Sequence, residues 1–221
     1  MKNSFTRFIK AHTSGWQSLL RISFILFIFF VYMGAQAQCP VAAAIPSVSK
    51  ICSGAAASIA LTSNLPGTTY SWTTVQSDVV GAVEGEGTAI SNTLTATDVV
   101  TGTAVYTITP LANGCKGIPV SVTITIDPIP VVSIGSLTTT ITSGNPISIA
   151  LNSDVAETAF SWTVIRSAVN GASNGRGSFI RQVLSTDSEK GMATYRITPI
   201  SKGCAGEPIN AKVLVKRDSG N

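Results

Sequence analysis

Residues 68–90 read TTYSWTTVQSDVVGAVEGEGTAI, and residues 158–180 read TAFSWTVIRSAVNGASNGRGSFI. Trp72 and Trp162 stand 90 positions apart, inside Tyr70-Ser71-Trp72-Thr73 and Phe160-Ser161-Trp162-Thr163. Self-similarity at a fixed period is the signature of a duplicated structural unit. In each copy Tyr or Phe, Trp and the residue two beyond alternate with polar residues, the period of a half-buried strand. The glycines that follow (Gly81, Gly85 and Gly87 in the first copy) mark a loop.

The match extends outward from this stretch. Upstream, Ile51-Cys52-Ser53-Gly54 corresponds to Ile141-Thr142-Ser143-Gly144, and Ala57 to Leu61 alternates as a strand does. Downstream, Val105 to Pro110 matches Thr194 to Pro199 at an offset of 89, so one residue has been lost from a loop. Gly114-Cys115 matches Gly203-Cys204, and Asn113-Gly114 between alternating runs is a hairpin signal. Val120 to Ile126 closes the first unit, and Asp127-Pro128-Ile129-Pro130 reads as a semi-rigid connection. Residues 39–50 carry two prolines and no strong periodicity, and read as an irregular lead-in. Short Thr-, Val- and Ile-rich strands with frequent turn signals predict an all-β chain of two tandem immunoglobulin-like β-sandwiches. The expected bounds are 38–127 and 128–217, with a polar tail at 218–221. Trp72, Trp162, Tyr106 and Tyr195 are the expected core framework, because large rings fill a thin sandwich.

Residues 1–21 hold Lys2, Arg7, Lys10 and Arg21 and no acid, residues 22–33 are apolar, and Ala35-Gln36-Ala37 follows. That order predicts a secretory signal peptide over residues 1–37 and an extracellular or cell-surface protein. Twelve apolar residues are too few to span a bilayer, which takes about 20, so no membrane span is expected after cleavage. The chain has 15 basic and 11 acidic residues. Without the four basic residues of the leader it has 11 of each, which leaves no electrostatic footprint for nucleic acid. The charge is uneven: residues 38–127 hold two basic and five acidic groups, and residues 128–221 hold nine and six. Complementary halves would favour head-to-tail association of chains, but drift between duplicated surfaces is the preferred reading.

The ordered pattern I-C-S-G, I-A-L, T-x-[YF]-S-W-T, G-x-G, Y-x-I-T-P, N-G-C and P-V-x-V-x-V resembles the PKD-like, immunoglobulin-like repeat of secreted and surface proteins of Bacteroidetes. The resemblance covers roughly residues 50–217. It implies a β-sandwich used for adhesion or as a spacer, and it brings no catalytic residue. With only two copies, and with KRDSGN at the end, the chain departs from the long adhesins in which such repeats are common.

Beyond the leader the cysteines are Cys39, Cys52, Cys115 and Cys204. In an exported chain they should pair. Cys52 precedes the first strand of the first sandwich and Cys115 sits in its last hairpin, which places both at one pole and predicts a bond between them. Cys39 and Cys204 are then free or pair between chains, with Cys39 replacing Cys52 as the alternative. The only histidine, His12, lies in the leader, so no Ser-His or Cys-His pair and no zinc-histidine site remains. No enzyme activity, cofactor or metal is expected. The copies disagree most at Glu84 and Glu86 against Asn174 and Arg176, which makes those loops the candidate contacts for an unidentified protein or glycan. The competing readings are a spacer without a ligand and a carbohydrate-binding accessory module, the latter requiring exposed aromatic rings.

Overall fold

A computed structural model describes residues 38–218. The expected signal peptide and residues 219–221 of the expected tail lie outside the described residues. The first module comprises β1 (Ala42–Pro46), β2 (Lys50–Cys52), β3 (Ala55–Ser63), β4 (Thr69–Ser77), β5 (Val79–Val80), β6 (Gly85–Glu86), β7 (Ala89–Ala96), β8 (Gly102–Ala112), β9 (Cys115–Lys116) and β10 (Val120–Asp127). One sheet has the order β1-β3-β7-β5, and the other β2-β10-β8-β4-β6, with β9 folded onto β8. Alternate residues of β8 (Ala104, Tyr106 and Ile108) are fully buried between the sheets, and Ile59, Ile90, Leu94 and Ile124 meet them. The period-two pattern thus becomes a sandwich because one face of each sheet is apolar and must be covered.

The lead-in is not irregular. Ala42–Pro46 pairs antiparallel with Ile59–Ser63, and Lys50–Cys52 pairs parallel with Thr125–Asp127. Ala-rich residues and proline carry little strand propensity, so only pairing with an already formed neighbour makes these segments strands. Pro46 ends β1 at the sheet edge, where a missing N–H costs no ladder bond. The Val41 amide is anchored by Asn64 Oδ1 at 2.8 Å.

The second module repeats the plan with β11 (Val132–Ser133), β12 (Thr138–Thr142), β13 (Asn145–Ala150), β14 (Asn152–Ser153), β15 (Ala159–Ser167), β16 (Gly175–Arg176), β17 (Phe179–Leu184), β18 (Lys190–Ser201), β19 (Cys204–Ala205) and β20 (Ile209–Lys216). Its large sheet has the order β12-β20-β18-β15-β16, facing the pairs β11-β14 and β13-β17. Its core centres on Tyr195, Ile197, Ile180, Leu184 and Val213. Two differences follow from sequence. The first strand shortens from five residues in β1 to two in β11, as the chain leaves the sheet at Ile134-Gly135. The parallel edge strand lengthens, since Thr138–Thr142 pairs along Lys212–Lys216. The chain is therefore all-β, built as two sandwiches with separate cores.

Candidate interaction site

The framework of both modules is built around the repeated tryptophan. Trp162 is buried at 6% exposure, and Trp72 is half-buried against its core. Each indole N–H donates to a carbonyl of the loop that returns beside it, Val83 O at 2.9 Å and Ser173 O at 3.2 Å. Gly85 and Gly175 lie flat on these rings. A Cβ on Gly85 would stand 3.1 Å from Trp72 Cζ2, and one on Gly175 would stand 2.6 Å from Trp162 Cζ2. This contact explains the first glycine of each Gly-x-Gly, and the positive φ of Gly87 and Gly177 explains the second; between them the short strands β6 and β16 lie against β4 and β15. The tyrosines complete the framework. Tyr106 and Tyr195 are fully buried, and their hydroxyls donate to Asn92 Oδ1 at 2.9 Å and Gln182 Oε1 at 2.7 Å. Burial pushes both phenols up, Tyr195 to about 12.

Of the four loop residues singled out in the sequence, Glu86 and Arg176 occupy equivalent ladder positions opposite Ser71 and Ser161. Each lines a cleft. Tyr70, Ser71, Glu86 and Leu111 border one of about 470 Å³, and Phe160, Ser161, Arg176 and Ile200 border its counterpart of about 420 Å³. The same shape thus carries opposite charge in the two modules. Asn174 has a different job, because its Oδ1 accepts the Val164 amide at 2.8 Å and caps the open edge of β15. Glu84 is exposed and has no bonded partner among the described residues.

The cysteines correct the expected Cys52–Cys115 bond and bear out its alternative, in which Cys39 takes the place of Cys52. Cys39 is bonded to Cys115, with Cα atoms 5.2 Å apart, and Cys52 to Cys204, with Cα atoms 5.6 Å apart. A Cys52–Cys115 bond cannot form, since the two lie at opposite poles. Cys52 pairs with Asp127 beside the Gly102 end of the large sheet, whereas Cys115 lies beyond Ala112 at the other end of β8. A strand of that length separates its ends by roughly 30 Å, far beyond the ~7 Å reach of a disulfide. Nor are Cys39 and Cys204 free, and all four cysteines are joined within the chain. No thiol is left for linking chains.

The Cys52–Cys204 bond joins the modules, and a polar cluster sits beside it. Asp127 is buried at 1% exposure. Its Oδ1 accepts from Thr101 Oγ1 at 2.8 Å, and Lys202 of the second module donates to the same Thr101 hydroxyl at 2.6 Å. Lys50 Nζ stands 2.8 Å from Oδ2 as a charge contact rather than an aligned hydrogen bond, and Lys202 Nζ is 3.9 Å from Oδ1. Burial raises the Asp127 carboxyl, but the contacts with Lys50 and Thr101 and the charges of Lys50 and Lys202 outweigh it, holding the group below its usual value. Lys202 reaches the cluster because Lys202-Gly203, both at positive φ, form the tight turn between β18 and β19. One cation of the second module thus reaches one acid of the first. The signal for this contact was legible only in part: Lys202 corresponds to Asn113 and is charged in one copy alone.

Among the described residues no cluster of three or more His, Cys, Asp or Glu side chains could hold a metal, and no helix is long and apolar enough to cross a membrane. Paired, largely antiparallel sheets with a Trp packed on each core and a buried late-strand Tyr define an immunoglobulin-like double sandwich. The chain belongs to the PKD-like domain family, whose model matches residues 49–130 and 139–219. No curated protein matches it. Among solved structures it is similar to the adhesin InvE of Yersinia pseudotuberculosis, at 16% identity over 82% of this chain and 61% of that one, with a TM-score of 0.29. Murine CEACAM1b matches at 14% identity over 79% of this chain and 100% of that one, with a TM-score of 0.34. Immunoglobulin domains 1–4 of Sidekick-1 match at 10% identity over 84% and 51%, with a TM-score of 0.44. The chain spans about three fifths of the InvE chain it matches.

Proposed function

We propose that the protein is an exported, non-enzymatic interaction module in which two PKD-like sandwiches, bounded near residues 38–127 and 128–217, are locked end to end to present their divergent surfaces. The observation that carries this reading is the cross-module Cys52–Cys204 bond, with Lys202 held against Thr101 and Asp127 beside it. Disulfides persist in oxidising compartments, which agrees with the predicted signal peptide. A bond that fixes two modules limits their relative motion and lowers the entropy lost when a surface spanning both is engaged. The opposite charges of the Glu86 and Arg176 clefts fit a partner that reads the two modules differently.

The test is fractionation of cells expressing the full chain, followed by non-reducing peptide mapping. Recovery outside the inner membrane, cleaved after Ala37 and carrying both bonds, is the expected result. Reduced protein retained in the cytoplasm, or hydrolase activity in the purified protein, would overturn the reading. Exposed aromatic rings would favour a sugar-stacking module, but Trp162 is buried and Trp72 is half-buried with its N–H bonded, which weighs against that alternative.

A further inference from the structure

The second module carries an unneutralised cationic stripe on the outer face of its large sheet. Cross-strand register places side chains directly paired in the ladder on one face. Arg176 lies opposite Ser161, Arg196 opposite Thr163 and Asn210, Lys212 opposite Thr194 and Thr138, and Lys190 opposite Lys216. All five cations are exposed. They descend diagonally across β16, β18 and β20 over about 30 Å, from strand spacing and rise. The stripe begins at the cleft lined by Arg176 and ends at a hollow of about 410 Å³ lined by Lys190, Met192 and Leu214.

No acid shares this face. The acidic residues of the module are Asp154, Glu157, Asp187, Glu189, Glu207 and Asp218, and all lie in the segments between or beyond the strands. The ion pairs among the described residues involve Lys50 and Lys202 and none of the five. Lys190 and Lys216 even stand directly across from each other, an arrangement that costs stability unless an anion relieves it. The first module supplies an internal comparison. At the equivalent positions it has Glu86, Thr107, Thr123, Thr101 and the buried Asp127, and no cation at any of them.

We infer that this face is a binding site for an acidic polysaccharide, a linear polymer of uronate type laid along the stripe. The inference rests on reading the protein as an exported interaction module and names the ligand class of its second half. Carboxylates spaced along a ribbon meet Arg176, Arg196 and Lys212 in turn, with the arginines able to bind them two-pronged. Between the cations stand Thr163, Thr194, Thr198, Asn210 and Thr138, short polar groups suited to sugar hydroxyls. A second copy of the chain is a poor occupant, since the matching face of the first module offers Glu86 as its only exposed acid. Nucleic acid is disfavoured too: the face has no aromatic ring on which a base could stack and no element to enter a groove.

The experiment titrates the purified protein with polygalacturonate, with neutral dextran and with duplex DNA, at low and at raised salt. Expected are binding to polygalacturonate that weakens with salt, no binding to dextran, and weaker binding to DNA. The double variant R196T/K212T, which installs the residues of the first module, should weaken polygalacturonate binding by about tenfold or more while far-UV dichroism and thermal midpoint stay unchanged. Substituting Glu86→Gln should leave it intact. Unchanged affinity in R196T/K212T, equal binding to dextran, tighter binding to DNA, or no binding at low salt would each overturn the inference. Because export and disulfide mapping are read separately, a failed titration would refute this assignment without touching the proposed function.

Discussion

Replacing both Cys52 and Cys204 with serine removes the disulfide between the modules and leaves Cys39–Cys115 and the main-chain connection in place. The bonded residues are 152 positions apart, so the cross-link closes a loop that runs through most of both sandwiches. In the chain-entropy model a loop of this length constrains the unfolded chain by roughly 5 kcal/mol. That stabilisation falls on the state in which both modules are unfolded, because only then is the loop free. Without it, the modules should unfold as more nearly separate units, because the contact of the half-exposed Lys202 with Thr101 and Asp127 is worth only about 1 kcal/mol. Urea denaturation followed by tryptophan fluorescence suits the question, since Trp72 and Trp162 lie one in each module. The total unfolding free energy should fall by several kcal/mol, and one transition should become two. A double variant whose curve overlays that of the parent chain would refute the loop-closure reasoning. So would a non-reducing map that links Cys52 to Cys115.

The glycines on the tryptophans give an ordered pair of substitutions. Gly175→Ala should destabilise by about 1–3 kcal/mol, the range for overpacking a tight contact, and by more than Gly85→Ala, because its Cβ would meet the indole at 2.6 Å rather than 3.1 Å; thermal melts of the two variants check the order. At the junction, the folded carboxyl of Asp127 is held below its ordinary value. Its stabilising effect is therefore complete above the unfolded pKa of about 4 and is lost as pH falls through the folded value. Asp127→Asn should flatten the acid side of a plot of stability against pH, and an unchanged slope would count against the cluster. Tyr195 behaves oppositely. Its folded pKa of about 12 exceeds the ordinary tyrosine value of 10.0, so its contribution is complete below pH 10 and lost as pH rises toward 12. That corresponds to roughly 3 kcal/mol in total. In Tyr195→Phe the Gln182 Oε1 keeps the Ser173 amide at 3.1 Å, so the cost near neutrality should be only about 1 kcal/mol, while the alkaline loss of stability becomes shallower.

The two-module plan was readable because local and global signals agree in it. Tyr106 with Ile108, and Tyr195 with Ile197, alternate with outward residues along strands whose inner face is the core, and the second copy repeats the pattern 89 positions on. The strands β1 and β2 were not readable, because the alanines and proline of β1 favour no strand and the three residues of β2 are too few to show a period; they are fixed only by β3 and β10. The Glu86 and Arg176 positions were found as points of divergence, but the sequence could not tell that Asn174, beside Arg176, is spent on the Val164 amide. Nor could it show that Arg176 lies on one face with Arg196 and Lys212, which depends on the register between strands.

The amino-acid sequence by itself determined the all-β class, the duplication and the absence of catalytic histidine beyond residue 37, since these depend on residue types and their period. The tertiary structure alone decided which cysteines meet. Pairing depends on the pole at which each thiol emerges, and that is fixed by the length and direction of the strands between them. Cys115 follows the end of β8 that faces Cys39, and Cys52 sits at the opposite end, where the second module brings Cys204.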